Sequence, residues 1–443
     1  MNQTDFSGQP DVSSADSLLS RELGVRQLAS NIFNYTVGSG IFALPAFAVL
    51  QLGAAAPLAY LACAVVIGLV VLCFAEAGSR VSATGGPYAY VETALGPMIG
   101  FVAGCLVFCT GLSAAAGVSS LIVRSILALF APSPTWLPNV LIVALVAGLV
   151  LINIRGIRNS ARVLETITVA KLLPLLAFVG IGVFFIKPAN LVWTTVPDTS
   201  LVLSTAGIVI FAFSGIEGSL IPSGEVKNPA RTVPRAAFLA LGAATVLYLA
   251  IQFVALGILG PDLALERTTP LAKAAGAVVG PIGRTVMIVG AVVSMFGYLS
   301  ANVLSEPRGL FALSRDGFLP RALARVHPKF RTPNFAIVTY GFLVGAIALS
   351  GTFEQLAIFA NLTALSLYFL CAVAAWELRR RNVRTDGEPF LIPGGPTVPI
   401  AACIAIAWLL YETAAGDQLR ALLIALVVIF ALYGIRAWRR RAA

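Results

Sequence analysis

The sequence contains a single histidine, His327, which lies in a basic stretch. Its six cysteines all fall within apolar runs, without the spacing of metal ligands or of a disulfide framework. One histidine and cysteines of this kind do not supply a zinc site or a catalytic triad. We therefore expect no metal and no cofactor, and cysteines that act as small buried apolar residues.

Charged residues are also scarce. They make up 11% of the chain, whereas soluble globular proteins carry about 25%. Hydrophobic residues make up 58% and form segments with the lengths of membrane spans. This composition predicts an all-α polytopic membrane protein with about twelve transmembrane helices. The segments lie near residues 29–51, 56–79, 97–124, 139–154, 163–186, 200–222, 236–259, 284–306, 333–350, 354–377, 397–414 and 418–436.

The N-terminus lacks an apolar leader, because residues 1–27 are mainly polar. Most of the 30 lysines and arginines fall in alternate connections between the spans and near the two ends of the chain. Basic loops mark the cytoplasmic side. We therefore predict a plasma-membrane protein with a cytoplasmic tail at 1–27 and a basic cytoplasmic tail at 438–443. The net charge of +10 then faces an anionic lipid leaflet and requires no nucleic acid.

Two apolar segments carry helix-weakening residues at their centres. Residues 37–42 read Val-Gly-Ser-Gly-Ile-Phe, and residues 213–218 read Phe-Ser-Gly-Ile-Glu-Gly. Glycine in a helix interior costs about 1 kcal/mol relative to alanine. An opened helix in a membrane is tolerated only where its backbone is buried or lines a wet cavity. Paired interruptions in two halves of a chain therefore indicate a transporter's binding site.

Close helix packing is the alternative explanation, because small residues also let two helices approach each other. For one stretch alone that explanation is the better one. The two stretches share Ser-Gly-Ile, and each is followed within two turns by a proline, Pro45 or Pro222. This repetition favours two broken helices.

Four motifs in this order resemble the amino acid–polyamine–organocation superfamily of permeases. They are Gly-Ser-Gly-Ile-Phe at 38–42, Gly-Gly-Pro-Tyr at 85–88, the stretch from 211 to 234 that includes Glu-Val-Lys-Asn-Pro at 225–229, and Ser-Arg-Asp-Gly-Phe-Leu-Pro at 314–320 preceded by Arg308. The resemblance runs from about residue 28 to the C-terminus. Length and first-span motif look nearest to the arginine/agmatine antiporter branch.

The resemblance implies an inverted repeat of five plus five helices in which spans one and six are broken. The first repeat would occupy 28–186 and the second 200–378, and spans eleven and twelve would occupy 396–437. The implied activity is secondary transport of an amino acid by alternating access, and not an enzymatic reaction.

The resemblance also implies a substrate site at the two breaks. A half-helix that starts near Gly38 offers free N–H groups to a carboxylate, and the motif puts that carboxylate on Ser39 and Gly40. Carbonyl oxygens of Thr36, Phe211 and Ser214 would bind the ammonium group. The full set of residues that we expect at the substrate is Thr36, Val37, Gly38, Ser39, Gly40, Ile41, Phe211, Phe213, Ser214, Ile216, Glu217 and Asn302.

Two ionisable residues within the spans are expected to couple transport. Such residues are rare in membranes and mark function. Glu217 matches the glutamate of the family's sixth span; a structural role, accepting hydrogen bonds from the opened first span, is equally open. Lys171 resembles the lysine that, in sodium-independent members, stands in for the sodium ion between spans one, five and eight. Snorkelling of Lys171 towards the cytoplasmic face is the alternative.

Side-chain selectivity is expected from spans three, eight and ten, specifically from Val107, Phe108, Cys109, Thr110, Gly111, Tyr298, Asn302, Asn361 and Thr363. The chain departs from the arginine/agmatine branch at Tyr35, Val107, Phe108 and Ala115. Besides Glu217, no acidic residue stands where it would pair with a guanidinium. We therefore expect neutral L-amino acids, sodium-independent transport and either proton coupling or exchange, with a cationic amino acid or polyamine exchanger as the alternative.

A channel and a membrane enzyme are the rival classes. A channel requires a continuous polar pore, and these spans offer interrupted helices with few polar residues. A membrane enzyme requires clustered histidines, cysteines or carboxylates at the interface, which the sequence does not supply.

Overall fold

The computed structural model describes residues 23–81, 85–130, 134–155, 161–193, 196–221, 226–315, 317–330, 332–384, 387–413 and 416–442. Most of the predicted N-terminal tail lies outside these residues, as do Pro222, Glu225 and Asp316 of the sequence motifs.

The described regular structure is helical, apart from one isolated parallel bridge between Leu23 and Val226. The α-helices are α1 (Val25–Thr36), α2 (Gly40–Leu52), α3 (Pro57–Arg80), α4 (Pro87–Leu95), α5 (Pro97–Leu127), α6 (Leu137–Ile154), α7 (Ala161–Gly182), α8 (Thr199–Val209), α9 (Ile216–Ser219), α10 (Pro229–Leu259), α11 (Pro270–Arg315), α12 (Asn334–Ser350), α13 (Phe353–Arg380), α14 (Thr397–Thr413) and α15 (Gly416–Ala442).

Prolines set the starts of several of these helices. Pro57, Pro87, Pro97 and Pro229 each occupy the first helical position. Proline suits that position because its backbone has no N–H to leave unpaired and its φ is already helical. The sequence thus fixes where α3, α4, α5 and α10 begin.

Eight helices of the described chain are long and apolar enough to cross a membrane, or nine if the bent pair α1–α2 is one span. Three shorter apolar helices accompany them, at Ala170–Phe185, Asn334–Ser350 and Thr397–Thr413. Large apolar side chains also face outwards, including Phe184, which is 84% exposed, and Phe342, which is 72% exposed. A surface of this kind suits lipid, and the predicted polytopic membrane protein is confirmed.

One segment differs from the sequence-based expectation. Glu306 and Pro307 were expected to end the eighth span, but α11 continues through both to Arg315. The connection between the segments 236–259 and 284–306 contains a short 3₁₀ turn at Gly260–Leu265 and the start of α11, whose path bends at Gly280, where φ is +72°.

The broken helices are packed among the longest helices. Helix α10 packs against α1 and α3, α11 against α5 and α7, and α13 against α5 and α3. The two breaks therefore lie in the interior of the bundle.

Candidate functional site

The first break separates α1 from α2. Helix α1 ends at Thr36, residues 37–39 are not helical, and α2 starts at Gly40. The two helices are bent by 48° relative to each other. The first N–H groups of a helix have no partner within it, and the helix dipole makes that end partly positive. The start of α2 is therefore suited to an anion.

The second break lies at Ser214 and Gly215. Helix α8 tightens into a 3₁₀ turn at Ile210–Phe213, the chain is extended at Ser214, and α9 starts at Ile216. Gly215 has a φ of +124°, which residues with a side chain rarely adopt. Glycine is therefore required at this break by its backbone conformation.

The two breaks touch each other through their glycines. A Cβ on Gly40 would lie 2.6 Å from the Cα of Ala212, just before the second break. A Cβ on Gly215 would lie 2.9 Å from the carbonyl carbon of Tyr35, just before the first. Both separations are too short for a real Cβ, so each glycine permits the close approach of the other broken helix.

Lys171 of α7 reaches the first break. Its side chain is fully buried, and its Nζ donates hydrogen bonds of 2.8 Å to the carbonyls of Asn34 and Val37. These carbonyls belong to the end of α1, where the helix dipole is negative and carbonyls lack helical partners. The side chain therefore does not snorkel to the membrane surface.

Ser294 of α11 shares one of these acceptors, the Val37 carbonyl, with Lys171. Its hydroxyl donates to the oxygen of Val37 at 3.1 Å and lies 3.5 Å from that of Gly38. Spans one, five and eight thus converge on this point, around an ammonium group.

Tyr248 of α10 links both breaks, and no local sequence pattern marks it as a functional residue. Its buried hydroxyl lies 2.8 Å from the carbonyl oxygens of both Thr36 and Ala212. A hydroxyl has one proton, so it can donate to one of them at a time. The Thr36 oxygen also accepts from the N–H of Gly38 at 2.8 Å, which leaves it less available to a substrate ammonium.

Glu217 is buried beside the second break. Its Oε2 accepts from the N–H of Gly215 at 3.0 Å and from the hydroxyl of Tyr368 at 2.7 Å. The structural role considered for Glu217 involved the opened backbone of span one. The structure instead joins this carboxylate to its own span and to span ten.

A cavity with an empty volume of about 580 Å³ opens between the breaks. Eight of the twelve residues expected at the substrate lie in its wall. Val37, Ile41, Phe213 and Ile216 do not. Val37 instead faces Lys171 and Ser294. The wall contains Tyr35, Thr36, Gly38, Ser39, Gly40, Val107, Thr110, Gly111, Ala114, Val118, Phe211, Ser214, Gly215, Glu217, Gly218, Tyr298, Asn302, Glu306 and Ala360.

The expected selectivity residues divide in the same way. Val107, Thr110, Gly111, Tyr298 and Asn302 line the cavity, whereas Phe108, Cys109, Asn361 and Thr363 do not.

Span ten supplies structural contacts in place of the expected cavity wall. The amide of Asn361 donates to the carbonyls of Gly207 and Ile208 in span six, and the hydroxyl of Thr363 lies 2.8 Å from that of Thr110. These polar side chains therefore join helices to one another.

Asn302 is held by its protein neighbours although it lies in the wall. Its amide nitrogen donates to the carbonyl of Gly111 at 3.3 Å, and its oxygen accepts from Tyr340 at 2.6 Å.

Glu306 is an acidic residue in the wall that we did not anticipate, and it corrects the expectation that Glu217 is the sole carboxylate available to a cationic side chain. It is 7% exposed and lies on the same face of α11 as Tyr298 and Asn302, at spacings of four residues. Residues four apart in a helix are neighbours on one face. That spacing was available in the sequence, but Pro307 pointed to a helix end.

The described residues contain no group of three or more histidine, cysteine or acidic side chains placed to hold a metal ion. His327 lies in a turn, where its Nδ1 accepts from the backbone N–H groups of Lys329 and Phe330 at 3.2 Å.

Comparison with known proteins gives one family. Residues 23–433 match the family described as amino acid permease. The methylthioribose transporter of Bacillus subtilis (strain 168) is 28% identical over 415 residues, which cover 89% of this chain and 88% of the relative. The branched-chain amino acid permease BcaP of the same organism is 27% identical, covering 94% of each chain. Its serine/threonine exchanger SteT is 27% identical, covering 97% of this chain and 99% of the relative.

Proposed function

The chain belongs to the amino acid permease family, and from this premise we propose that it carries neutral L-amino acids across the plasma membrane without sodium. It is an amino acid transporter, as its relatives are transporters and not enzymes. The substrate class, the coupling and the residues of the site are the parts that we propose.

The proposed architecture has twelve spans with both termini in the cytoplasm. Nine spans are the candidates already described, and the shorter helices at Ala170–Phe185, Asn334–Ser350 and Thr397–Thr413 would supply spans five, nine and eleven. Residues 28–186 and 200–378 would form the two inverted repeats. The reciprocal contact of the two breaks supports this arrangement, because each break meets the other in the same way.

The proposed substrate site uses the backbone of both breaks. The carboxylate would accept hydrogen bonds at Ser39 and Gly40, where α2 starts. The ammonium group would donate to the carbonyls of Phe211 and Ser214, with a smaller contribution from Thr36, whose oxygen already accepts hydrogen bonds. Glu217 would hold the second break in shape and connect it to span ten.

A neutral side chain suits the apolar part of the wall. Val107, Ala114 and Val118 of span three line the cavity and offer no charge to a distal cationic group. BcaP is named for branched-chain amino acids and SteT for serine and threonine, and these side chains are neutral.

The observation that carries the coupling proposal is the buried ammonium of Lys171 on the carbonyls of Asn34 and Val37. A sodium ion bound at the end of α1 would require these same oxygens. Since the lysine already supplies a positive charge there, transport needs no sodium.

Counterflow in proteoliposomes tests the proposal. Purified protein is reconstituted in sodium-free buffer at equal pH on both sides, the vesicles are loaded with one of the twenty L-amino acids, and uptake of the same labelled amino acid is followed. We expect counterflow for neutral amino acids, inhibited by other neutral L-amino acids and only weakly by arginine or agmatine.

Two results would overturn this proposal. A strict requirement for sodium would remove the role of Lys171. Arginine or agmatine as the strongest inhibitor would identify a cationic amino acid or polyamine exchanger. A parallel assay with liposomes that lack protein controls for leakage.

A further inference from the structure

Glu306 is the buried charge that the proposed site does not use. Among the side chains that the structure describes, five acidic or basic ones are buried: Glu76, Arg80, Lys171, Glu217 and Glu306. Glu76 and Arg80 form an ion pair of 2.7 Å away from the cavity. Lys171 donates to two carbonyls, and Glu217 accepts from two donors. Glu306 alone has no hydrogen-bond or ion-pair partner within the described residues.

Among the described residues, no basic side chain forms an ion pair with Glu306. The titratable groups that face it are Tyr35 of α1, Cys109 of α5, Glu217 of α9, Tyr298 of α11 and Tyr340 of α12. The phenol and thiol groups among these are ordinarily neutral near pH 7, so Glu217 is the one that can bring a charge there, and its charge has the same sign.

Arg308, the nearest basic residue in sequence, is close enough to act electrostatically on Tyr35 but forms no ion pair with Glu306. Its guanidinium donates to the carbonyl of Leu304. An ionised carboxylate in this setting would be desolvated without compensation.

The sum of the charges around the breaks also indicates that an ionised Glu306 is unfavourable. With Lys171, Glu217 and Glu306 all ionised, the three buried groups sum to one negative charge. A zwitterionic substrate adds no net charge, so the imbalance persists when the cavity is filled. One additional positive charge at Glu306 removes it.

We infer that Glu306 carries the proton that is transported together with the amino acid. This inference rests on the proposed transport of neutral amino acids. The carboxyl group would bind one proton while it faces the cavity, and would release it after the broken helices have rearranged. Lys171 of α7 would remain a fixed charge at the end of α1.

Gly111 leaves room for the carboxyl group of Glu306. A Cβ on Gly111 would overlap the carboxyl group directly. The absence of a side chain at Gly111 therefore lets α5 approach α11 with the carboxyl group of Glu306 between them, and the amide of Asn302 donates to the Gly111 carbonyl.

The test separates proton coupling from transport itself. Proteoliposomes in sodium-free buffer receive either an inward gradient of one pH unit or equal pH on both sides, with the neutral amino acid that gives the strongest counterflow. One coupled proton predicts roughly tenfold accumulation at one pH unit, because a tenfold concentration ratio and one pH unit have the same free energy. Wild-type protein and the variants Glu306→Gln, Glu306→Asp and Glu354→Gln are compared. Glu354 is exposed at the start of α13 and controls for the loss of a carboxylate elsewhere.

We expect Glu306→Gln to retain counterflow at equal pH but to lose accumulation under the gradient, so that its ratio falls to one. Glu306→Asp, which retains a titrating carboxyl group, and Glu354→Gln should both accumulate substrate. Independently of any variant, adding substrate to wild-type vesicles should raise the external pH, as read by an impermeant dye.

Full accumulation by Glu306→Gln, or no substrate-induced proton uptake by the wild type, would overturn the inference. The inference would also be overturned if Glu306→Gln accumulated substrate like the wild type and differed from it only in being no longer inhibited by arginine. Glu306 would then bind a cationic side chain. A wild type with counterflow but no gradient-driven accumulation refutes the inference and leaves the proposed function standing. A wild type without counterflow of any amino acid refutes the proposed function.

Discussion

Gly40 lies against Ala212 so closely that a Cβ on the glycine would come within 2.6 Å of the Ala212 Cα. The second break repeats this relationship, with Gly215 against the backbone of Tyr35. Each broken helix therefore limits the position of the other. A rearrangement at one break has to be accompanied by a movement at the other, as alternating access by two linked half-helices requires.

We predict that Gly40→Ala lowers the stability of the protein by about 1–3 kcal/mol, the usual range for an overpacked site, and slows counterflow strongly. The added methyl group would meet backbone atoms of Ala212, which cannot rotate away as a side chain can. Thermal unfolding in detergent and counterflow on the same preparation would measure the two effects.

Gly38→Ala is the matched control, because a Cβ on Gly38 would lie 3.6 Å from the nearest atom, the Tyr35 oxygen, which is ordinary contact. Its unfolding temperature should match that of the wild type. Equal effects of the two substitutions would contradict the packing explanation. A valine at position 40 would meet Ala212 in the same way and would also cover the N–H groups proposed to bind the substrate carboxylate.

For Lys171 we predict that Lys171→Ala inserts normally but loses transport or transports at a small fraction of the wild-type rate. The substitution removes both hydrogen bonds to the end of α1 and the only positive charge described there. Sodium-free counterflow, with insertion checked by size-exclusion chromatography, is the measurement.

Lys187→Ala serves as the comparison, since Lys187 is exposed and stands outside the site. It should transport at the wild-type rate. A Lys171→Ala protein with an unchanged rate and pH profile would show that the ammonium group is dispensable.

The two breaks could be predicted from the sequence because their causes are local. Glycines on either side of Ser39, and Gly215 after Ser214, weaken a helix whatever surrounds it. A functional role for Lys171 could also be predicted from the sequence, since a basic residue within an apolar segment is unusual in any membrane protein.

Glu306 and Tyr248 could not be placed in this way, because tertiary packing decides their roles. Pro307 removes one backbone donor, which ordinarily disrupts a helix, yet α11 continues and turns Glu306 to the cavity. Tyr248 stands in an apolar run, and only the packing of α10 on α1 brings its hydroxyl to Thr36. Asn361 is the opposite case. Its polar side chain was expected at the substrate, but it donates to the backbone of span six instead.

Glu76 should be among the most sensitive residues outside the cavity. Its carboxylate pairs with Arg80 at 2.7 Å and accepts from the N–H of Ile392 at 3.1 Å, and the side chain is fully buried. Removing one partner of a buried pair costs about 3–5 kcal/mol, so Glu76→Ala should lower the unfolding temperature markedly. Asp417→Asn breaks a pair in which the aspartate side chain is 91% exposed, and should leave that temperature unchanged. An unchanged unfolding temperature for Glu76→Ala would contradict the structural role of this pair.

Tyr60 and Tyr248 offer a sharper comparison, because both are fully buried and their rings meet edge to face at 6.4 Å. Their hydroxyl groups differ. That of Tyr248 lies 2.8 Å from the carbonyls of Thr36 and Ala212, whereas that of Tyr60 has no hydrogen-bond partner within the described residues.

We predict that Tyr248→Phe destabilises the protein by about 1–3 kcal/mol, since it leaves a buried carbonyl without a donor, and that it slows counterflow because the two breaks lose their common link. Tyr60→Phe removes a buried hydroxyl group that has no such partner, so stability should stay equal or rise. Chemical shape and burial are the same in the two variants, and the hydrogen bond is the difference between them. Thermal unfolding and sodium-free counterflow on both proteins make the comparison. If Tyr60→Phe were as damaging as Tyr248→Phe, the loss would have to come from ring packing, and the hydroxyl of Tyr248 would have no role in joining the broken helices.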